Sequence, residues 1–247
     1  MKLLVCIDDT DNLESTGTGK IASFLAQELA SKFKCECSAV SRHQLFVHPD
    51  IPYTSHNSSM CFQTRILQKD YSGLIQYCSG FLRENTPKEA DPGLCVLSLG
   101  NGLHSNSLIE FGKLAKCKIL SKTDAYDLAE KLDIHLSEHG GTGDGVVGAL
   151  AGAGLRLSGN DGRFRGWTSF DVPNGLISVK ELCSWGGYDS VQTLQGVELP
   201  LDQIVRLVER VKSVFVNQQS VVLVEHTPEE DTDASWKVVH KSSLGNY

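Results

Sequence analysis

The chain has 247 residues, 40% of them hydrophobic, and its 30 Asp and Glu outnumber its 23 Lys and Arg to give a net charge of −7. That length supports one large domain or two small ones able to fold without disulfides or metal. The acidic balance excludes a chain-wide basic footprint for nucleic acid but leaves a local basic face open.

No apolar run approaches the ~20 residues that span a bilayer. The apolar stretch Leu3–Ile7 gives way at once to acids, so the N-terminus does not read as a signal peptide, and a cytoplasmic protein with no membrane contact is expected. Eight cysteines occur without a CxxC pair, which fits reduced, buried thiols. A zinc site on Cys35 and Cys37 lacks a matching second pair.

In chain order, Leu3–Ile7 reads as a strand feeding a loop. Ile21, Phe24, Leu25, Leu29 and Phe33 recur at helical spacing and predict an amphipathic helix. Cys37–Arg42 and Met60–Leu67 read as strands on either side of the loop His43–Asn57. Tyr71–Arg83 predicts a helix, Leu94–Leu99 a buried strand before a Gly-Asn-Gly turn, and Leu108–Ala115 and Ala125–Leu132 two further helices. The glycine-rich loop His139–Gly145 opens onto Val146–Leu157, an apolar, small-residue helix, and Asn160–Arg163 is a turn. Val172–Gly175 is the candidate domain boundary. Beyond it Asp202–Lys212 looks helical, Val221–Glu225 extended, Pro228–Asp233 an exposed acidic loop and Trp236–His240 a last strand. Strands alternating with helices argue for an α/β fold, with α+β left open.

Two segments carry chemistry. Asp8-Asp9-Thr10-Asp11 packs three carboxylates into four residues directly after a strand. Such crowding makes sense where a divalent cation neutralises it, and oxygen donors suit magnesium, which also holds phosphates; a capped turn is the plainer reading. Ser15-Thr16-Gly17-Thr18-Gly19-Lys20 then leads into the first helix. Hydroxyls, backbone N–H groups and Lys20 could cradle a phosphate there, or Thr16 or Thr18 could serve as an ordinary cap. The second segment is Gly140-Gly141-Thr142-Gly143-Asp144-Gly145, part of a run with eight glycines between Gly140 and Gly159. A loop of N–H groups at a helix start favours anions, a nucleotide triphosphate among them; a tight turn before close helix packing is the alternative.

Smaller features leave more open. His135 and His139 stand four apart, as metal ligands on a helix would, but read more simply as a loop pair. His43, His48 and His56 fall in the proline-containing loop, where one could touch a substrate. Arg163 and Arg165 could clamp phosphate or stand solvated. Trp167, Trp185 and Trp236 read as core or edge residues.

Taken together, Ile7-Asp8-Asp9-Thr10-Asp11-Asn12 with Thr18 six residues on resembles the N-terminal IDDTDS stretch, and its following threonine, of the archaeal tRNA-isoleucine agmatinylcytidine synthetase (TiaS) family. His48-Pro49-Asp50-Ile51-Pro52 with Asn57-Ser58-Ser59 is similar to the family's NPxIP…GN-A-A stretch, and the run Gly143–Ala151 to its GRGLIGALA. The three matches keep their order and cover about residues 1–60 and 140–160.

The resemblance implies a kinase-like, ATP-binding core with a ferredoxin-like accessory lobe. The layout it suggests is a catalytic core over 1–170, with room for an inserted lobe at about 70–137, and an accessory region over 171–247. It implies ATP and magnesium as cofactors and activation of an acceptor by phosphoryl transfer. Asp8, Asp9 and Asp11 would hold magnesium or phosphate and, with Thr18, carry the chemistry. Thr10, Lys20, Gly141, Gly143, Asp144 and Gly145 would line the nucleotide, and Asn57 would meet the acceptor. The departures are the missing paired CxxC motifs, Tyr53-Thr54-Ser55-His56 where the family has a lysine-arginine stretch, and Asp144 where the family has arginine. They remove cations that a phosphate backbone would use. The acceptor is therefore left as a small molecule, a nucleoside or a tRNA delivered by a partner subunit. A non-catalytic nucleotide-binding module or subunit is the alternative function.

Overall fold

The structure is a computed structural model that describes residues 1–51, 56–100, 105–227, 233–245 and 247. Residues 52–55 of the proline loop, most of the Gly-Asn-Gly turn and most of the acidic loop Pro228–Asp233 lie outside the described residues. The chain divides into two compact units, Met1–Ser158 and Gly159–Tyr247. The division falls after Ser158, upstream of Val172–Gly175, where the sequence suggested a boundary; the segment 173–175 is instead a single 3₁₀ turn inside the second unit.

In the first unit, strand β1 (Lys2–Asp8) leads through a loop to helix α1 (Thr18–Phe33). Then come β2 (Ser41–Gln44), β3 (Ser58–Arg65), helix α2 (Tyr71–Asn85), β4 (Gly93–Ser98), helices α3 (Ser105–Leu114) and α4 (Lys122–Lys131), β5 (His135–Glu138) and α5 (Gly145–Ser158). The strands run β5-β4-β1-β3-β2, each antiparallel to its neighbour. Residues 70–137 contribute to this sheet through β4, which lies directly beside β1.

The alternation of β1 decides the layers, because successive side chains of a strand point to opposite faces. Leu3, Val5 and Ile7 join α1 and α2 in one buried core. Leu4 and Cys6 join α3, α4 and α5 in another. Every one of these β1 side chains is at most 1% exposed, as expected for a strand covered on both faces. Among the described residues, no helix is long and apolar enough to cross a membrane.

The second unit is strand-rich. It contains β6 (Arg163–Phe164), β7 (Leu176–Ser178), helix α6 (Val179–Gly186), β8 (Ser190–Thr193), β9 (Ile204–Arg206), β10 (Ser213–Val216), β11 (Gln219–His226) and β12 (Trp236–Val238). Strands β10 and β11 form a hairpin whose two turn residues, Asn217 and Gln218, both have positive φ (51° and 65°), as a twist-matched two-residue turn requires. Strand β8 pairs with β11 in parallel and β12 pairs with it antiparallel, so the pairing is mixed.

Four expectations need correction. Asp202–Lys212 contains β9 and extended chain rather than a helix: Ile204–Arg206 pairs with Leu176–Ser178, and Val211 bridges to Thr168. His43 lies buried in β2 rather than in a loop, with Nε2 2.7 Å from Ser41 Oγ. His135 belongs to strand β5, and its ring is linked to that of His139 through Ser137 Oγ at 2.9 Å on each side. Trp167 and Trp185 are each 59% exposed.

Candidate active site

The alternation that sends Leu4 and Cys6 toward α5 sends Asp8 there too, at the carboxyl end of the central strand. Helix α5 meets it with glycine: a Cβ at Gly148 would lie 1.6 Å from Asp8 Oδ2, so any larger residue would collide with the carboxylate. Asp9 then leaves the strand with φ 52°, and its Cβ faces Gly145 at the start of the same helix. The aspartates and the glycine segment, far apart in sequence, are therefore packed together.

The loop after β1 is closed by its own side chains. Asn12 Oδ1 accepts from the N–H groups of Glu14 (3.0 Å) and Ser15 (2.9 Å). Thr18, the first residue of α1, donates its hydroxyl to Asp11 Oδ1 at 2.8 Å. Gly17 holds the cap position of α1 without a side-chain bond, so the Thr18 hydroxyl fixes Asp11 rather than the helix end. Thr10 is fully buried, and its Oγ1 has no hydrogen-bond partner among the described residues.

The glycine loop is held from two sides. Asp91 Oδ1 accepts from the N–H groups of Thr142 and Gly143, the latter at 3.1 Å. Lys122 Nζ donates to the Thr142 carbonyl at 2.6 Å and to Glu138 Oε2 at 2.7 Å. Gly141 and Gly143 have φ of 52° and 78°, which explains glycine at these two turns.

These segments enclose a cleft of about 400 Å³, within the size range of small-molecule sites. Of the residues proposed from sequence, Asp8, Asp9, Asp11, Thr18, Asn57, Asp144 and Gly145 line it. Thr10, Lys20, Gly141 and Gly143 do not form part of its wall: Thr10 is buried and Lys20 is exposed on α1. Asn57 spends its amide on the Phe46 carbonyl at 2.7 Å, which makes it a brace for the neighbouring loop. Arg163 and Arg165 belong to the second unit and are not among the lining residues.

Sequence reading missed Arg42, Lys118 and Lys122, which bring positive charge to a wall otherwise rich in aspartate. Arg42 is aimed by bonds to Ser58 Oγ (3.0 Å) and Gln44 Oε1 (2.7 Å). The available signal was the segment 113–122, which holds four lysines and no acid. Ile51, Ile119, Leu120 and Val147 give the same cleft an apolar portion.

Burial first, then the neighbouring Asp9 and Asp11, push the Asp8 carboxyl well above the usual carboxylate range. Asp9 is pushed up to about 6 by burial and by Asp91, Asp11 and Asp144. Among the described residues, no three His, Cys, Asp or Glu side chains form a ready-made metal cage. A magnesium ion asks for less, since it keeps several waters and is usually bound by one or two carboxylates together with phosphate oxygens. Asp8, Asp9 and Asp11 all line the cleft and offer it oxygen donors of the kind such an ion takes.

No protein-family model matches the sequence, and no curated protein matches it. Several solved structures share its fold. One is apo TiaS, described as a tRNA agmatidine synthetase, at 22% identity and TM-score 0.53, covering 62% of this chain and 35% of that one. A second, a tRNA fluorescent labeling enzyme, has 21% identity and TM-score 0.55, over 73% and 42%. A third, TiaS in complex with its tRNA and ATP, has 19% identity and TM-score 0.55, over 82% and 50%. The chain spans between about a third and a half of the length of these proteins. At these identities the likeness is one of architecture: the chain has a mixed α/β fold similar to that of TiaS.

Proposed function

We propose that this chain is an ATP- and magnesium-dependent enzyme that activates an RNA acceptor by phosphoryl transfer in the cleft of the first unit. The observation that carries the reading is the packing of Asp8 and Asp9 against the first turn of α5, in a cleft that also meets the N-terminus of α1 at Thr18. Helix N-termini favour anions through their N–H groups and dipoles, and a polyphosphate supplies the negative groups that they and Arg42, Lys118 and Lys122 would hold. The structure of TiaS, which shares this fold, in complex with its tRNA and ATP supports the same choice of ligands.

Asp8, Asp9 and Asp11 would hold magnesium, which when bound would neutralise charge on the phosphates and among these aspartates. Thr18 keeps Asp11 oriented through the 2.8 Å bond between them. The apolar portion at Ile119, Leu120 and Val147 offers a flat heterocycle an apolar surface. In phosphoryl transfer the protein mainly positions groups and stabilises charge, so the aim of these side chains is the catalytic device.

RNA is favoured over a small neutral acceptor by Lys113, Lys116, Lys118 and Lys122, a basic run in a chain of net charge −7 whose last two lysines line the cleft. The test is turnover of ATP by the purified protein with magnesium chloride and RNA, in wild type and Asp9→Asn. Asn is well tolerated at the positive φ of residue 9, so the variant keeps the backbone. Its turnover should fall at least about 100-fold. Equal turnover in the variant rejects the assignment. Tight ATP binding without release of ADP, AMP or pyrophosphate in wild type supports a non-catalytic nucleotide-binding module instead.

A further inference from the structure

Asp91 belongs to none of the motifs that drew attention in the sequence. It stands two residues before β4, at the strand end beside Asp8, since Asp8 and Gly93 are register partners. Its Oδ1 accepts from two consecutive backbone donors of the glycine loop, Thr142 N and Gly143 N. The fit leaves little tolerance. A Cβ at Gly141 would lie 2.0 Å from Asp91 Oδ1, and one at Gly145 would lie 2.1 Å from the Asp91 carbonyl.

We propose that Asp91 is a positioning residue of the nucleotide site, holding the glycine loop so that Asp144, Gly145 and the first turn of α5 face the cleft. This rests on the nucleotide reading above and adds a residue to it. Because Asp91 already occupies the N–H groups of Thr142 and Gly143, those two amides serve the loop rather than the phosphates. The phosphate-facing part of the segment starts at Asp144 and Gly145, the two members of the loop that line the cleft. Lys122 secures the opposite side of the same peptide through the Thr142 carbonyl, so removing Asp91 leaves that peptide held through its oxygen and no longer through its N–H.

Two variants and two readouts test this in the full chain. Asp91→Ala removes the acceptor, whereas Asp91→Asn keeps an oxygen in the same place without the charge. Hydrogen exchange at the Thr142 and Gly143 amides reads the clamp without nucleotide. KM for ATP against kcat reads its consequence. The Ala variant should speed exchange at both amides and raise KM about tenfold, with kcat changed far less. The Asn variant should return both readouts to within about threefold of wild type. Unchanged exchange in the Ala variant overturns the clamp. Faster exchange with unchanged KM overturns its role in nucleotide binding, and an Asn variant as impaired as Ala overturns the hydrogen-bond explanation. If the Ala variant does not fold, the Asn variant still decides, since the proposal requires near-normal KM from it. Absence of ATP binding in wild type is a failure of the nucleotide reading itself and is seen before any variant is made.

Discussion

Asp9 links the chemistry of the site to the stability of the fold. Its carboxyl titrates at about 6 in the folded chain against an ordinary value of 3.8. The folded state therefore resists giving up that proton more than the unfolded chain does. The stabilisation is complete below pH ~4 and is lost as pH rises through about 6, at a cost of at most about 3 kcal/mol for this one group. Asp8, shifted in the same direction, adds a loss of the same sign. Asp9→Asn should accordingly melt above wild type at pH 8 in the absence of divalent cation, with the gap closing by pH 4. Magnesium chloride with ATP should narrow the gap at pH 8 by stabilising wild type more than the variant. Thermal melts from pH 4 to 8 check this, and a variant less stable than wild type at pH 8 would count against it. The placement of Asp8 was legible in the sequence, because period-two alternation from Leu4 and Cys6 aims it at one face. The left-handed turn at Asp9 was not, since nothing in the letters DDTD separates a strand from its exit. Asp91 was equally hidden, as its role depends on a loop about 50 residues downstream.

Helix α5 shows how a composition becomes a contact. Its small residues were legible as a close-packed helix, and the structure supplies what they pack against. A Cβ at Gly154 would lie 2.0 Å from the Leu108 carbonyl, and one at Gly112 would lie 2.7 Å from the Ala151 carbonyl. Helices α3 and α5 thus meet backbone to backbone, where neither can give way as a flexible side chain would. Gly154→Ala gains helix propensity of roughly 1 kcal/mol. The forced separation should outweigh that gain, for a net loss of about 1–3 kcal/mol. Chemical denaturation measures it, and a stabilised variant would show that the two helices separate cheaply. The segment 202–212 marks the limit of such reading. Ile204, Leu207, Val208 and Val211 mimic helical spacing, yet β-branched residues serve a strand as well, and pairing with β7 and β12 decides the matter. Strand β5 was missed because its four residues, HLSE, are too short and too polar to stand out without the buried β4 beside them.

At the scale of the whole molecule, net charge and local charge oppose each other. A chain at −7 repels RNA at long range, but at physiological salt charges separated by more than about 8 Å are largely screened. Within that distance a phosphate near the cleft meets the segment 113–122 rather than the average of the protein. Lys113 and Lys118 are exposed there, whereas Lys122 is engaged with Glu138 and the Thr142 carbonyl. Replacing Lys113 and Lys118 by Gln keeps two flexible polar side chains and removes two charges. If each neutralises one phosphate, the slope of log affinity against log salt should become shallower by about 1.5–2, with weaker binding at low salt and a smaller difference at high salt. Lys113 alone, at the last turn of α3 and not among the residues lining the cleft, should account for about half of that change while leaving KM for ATP as it was. RNA titrations of the single and double variants at several salt concentrations measure the slopes. Slopes equal to wild type would remove RNA from the proposed chemistry and return the acceptor to a small molecule, without disturbing the aspartate and glycine site that would activate it.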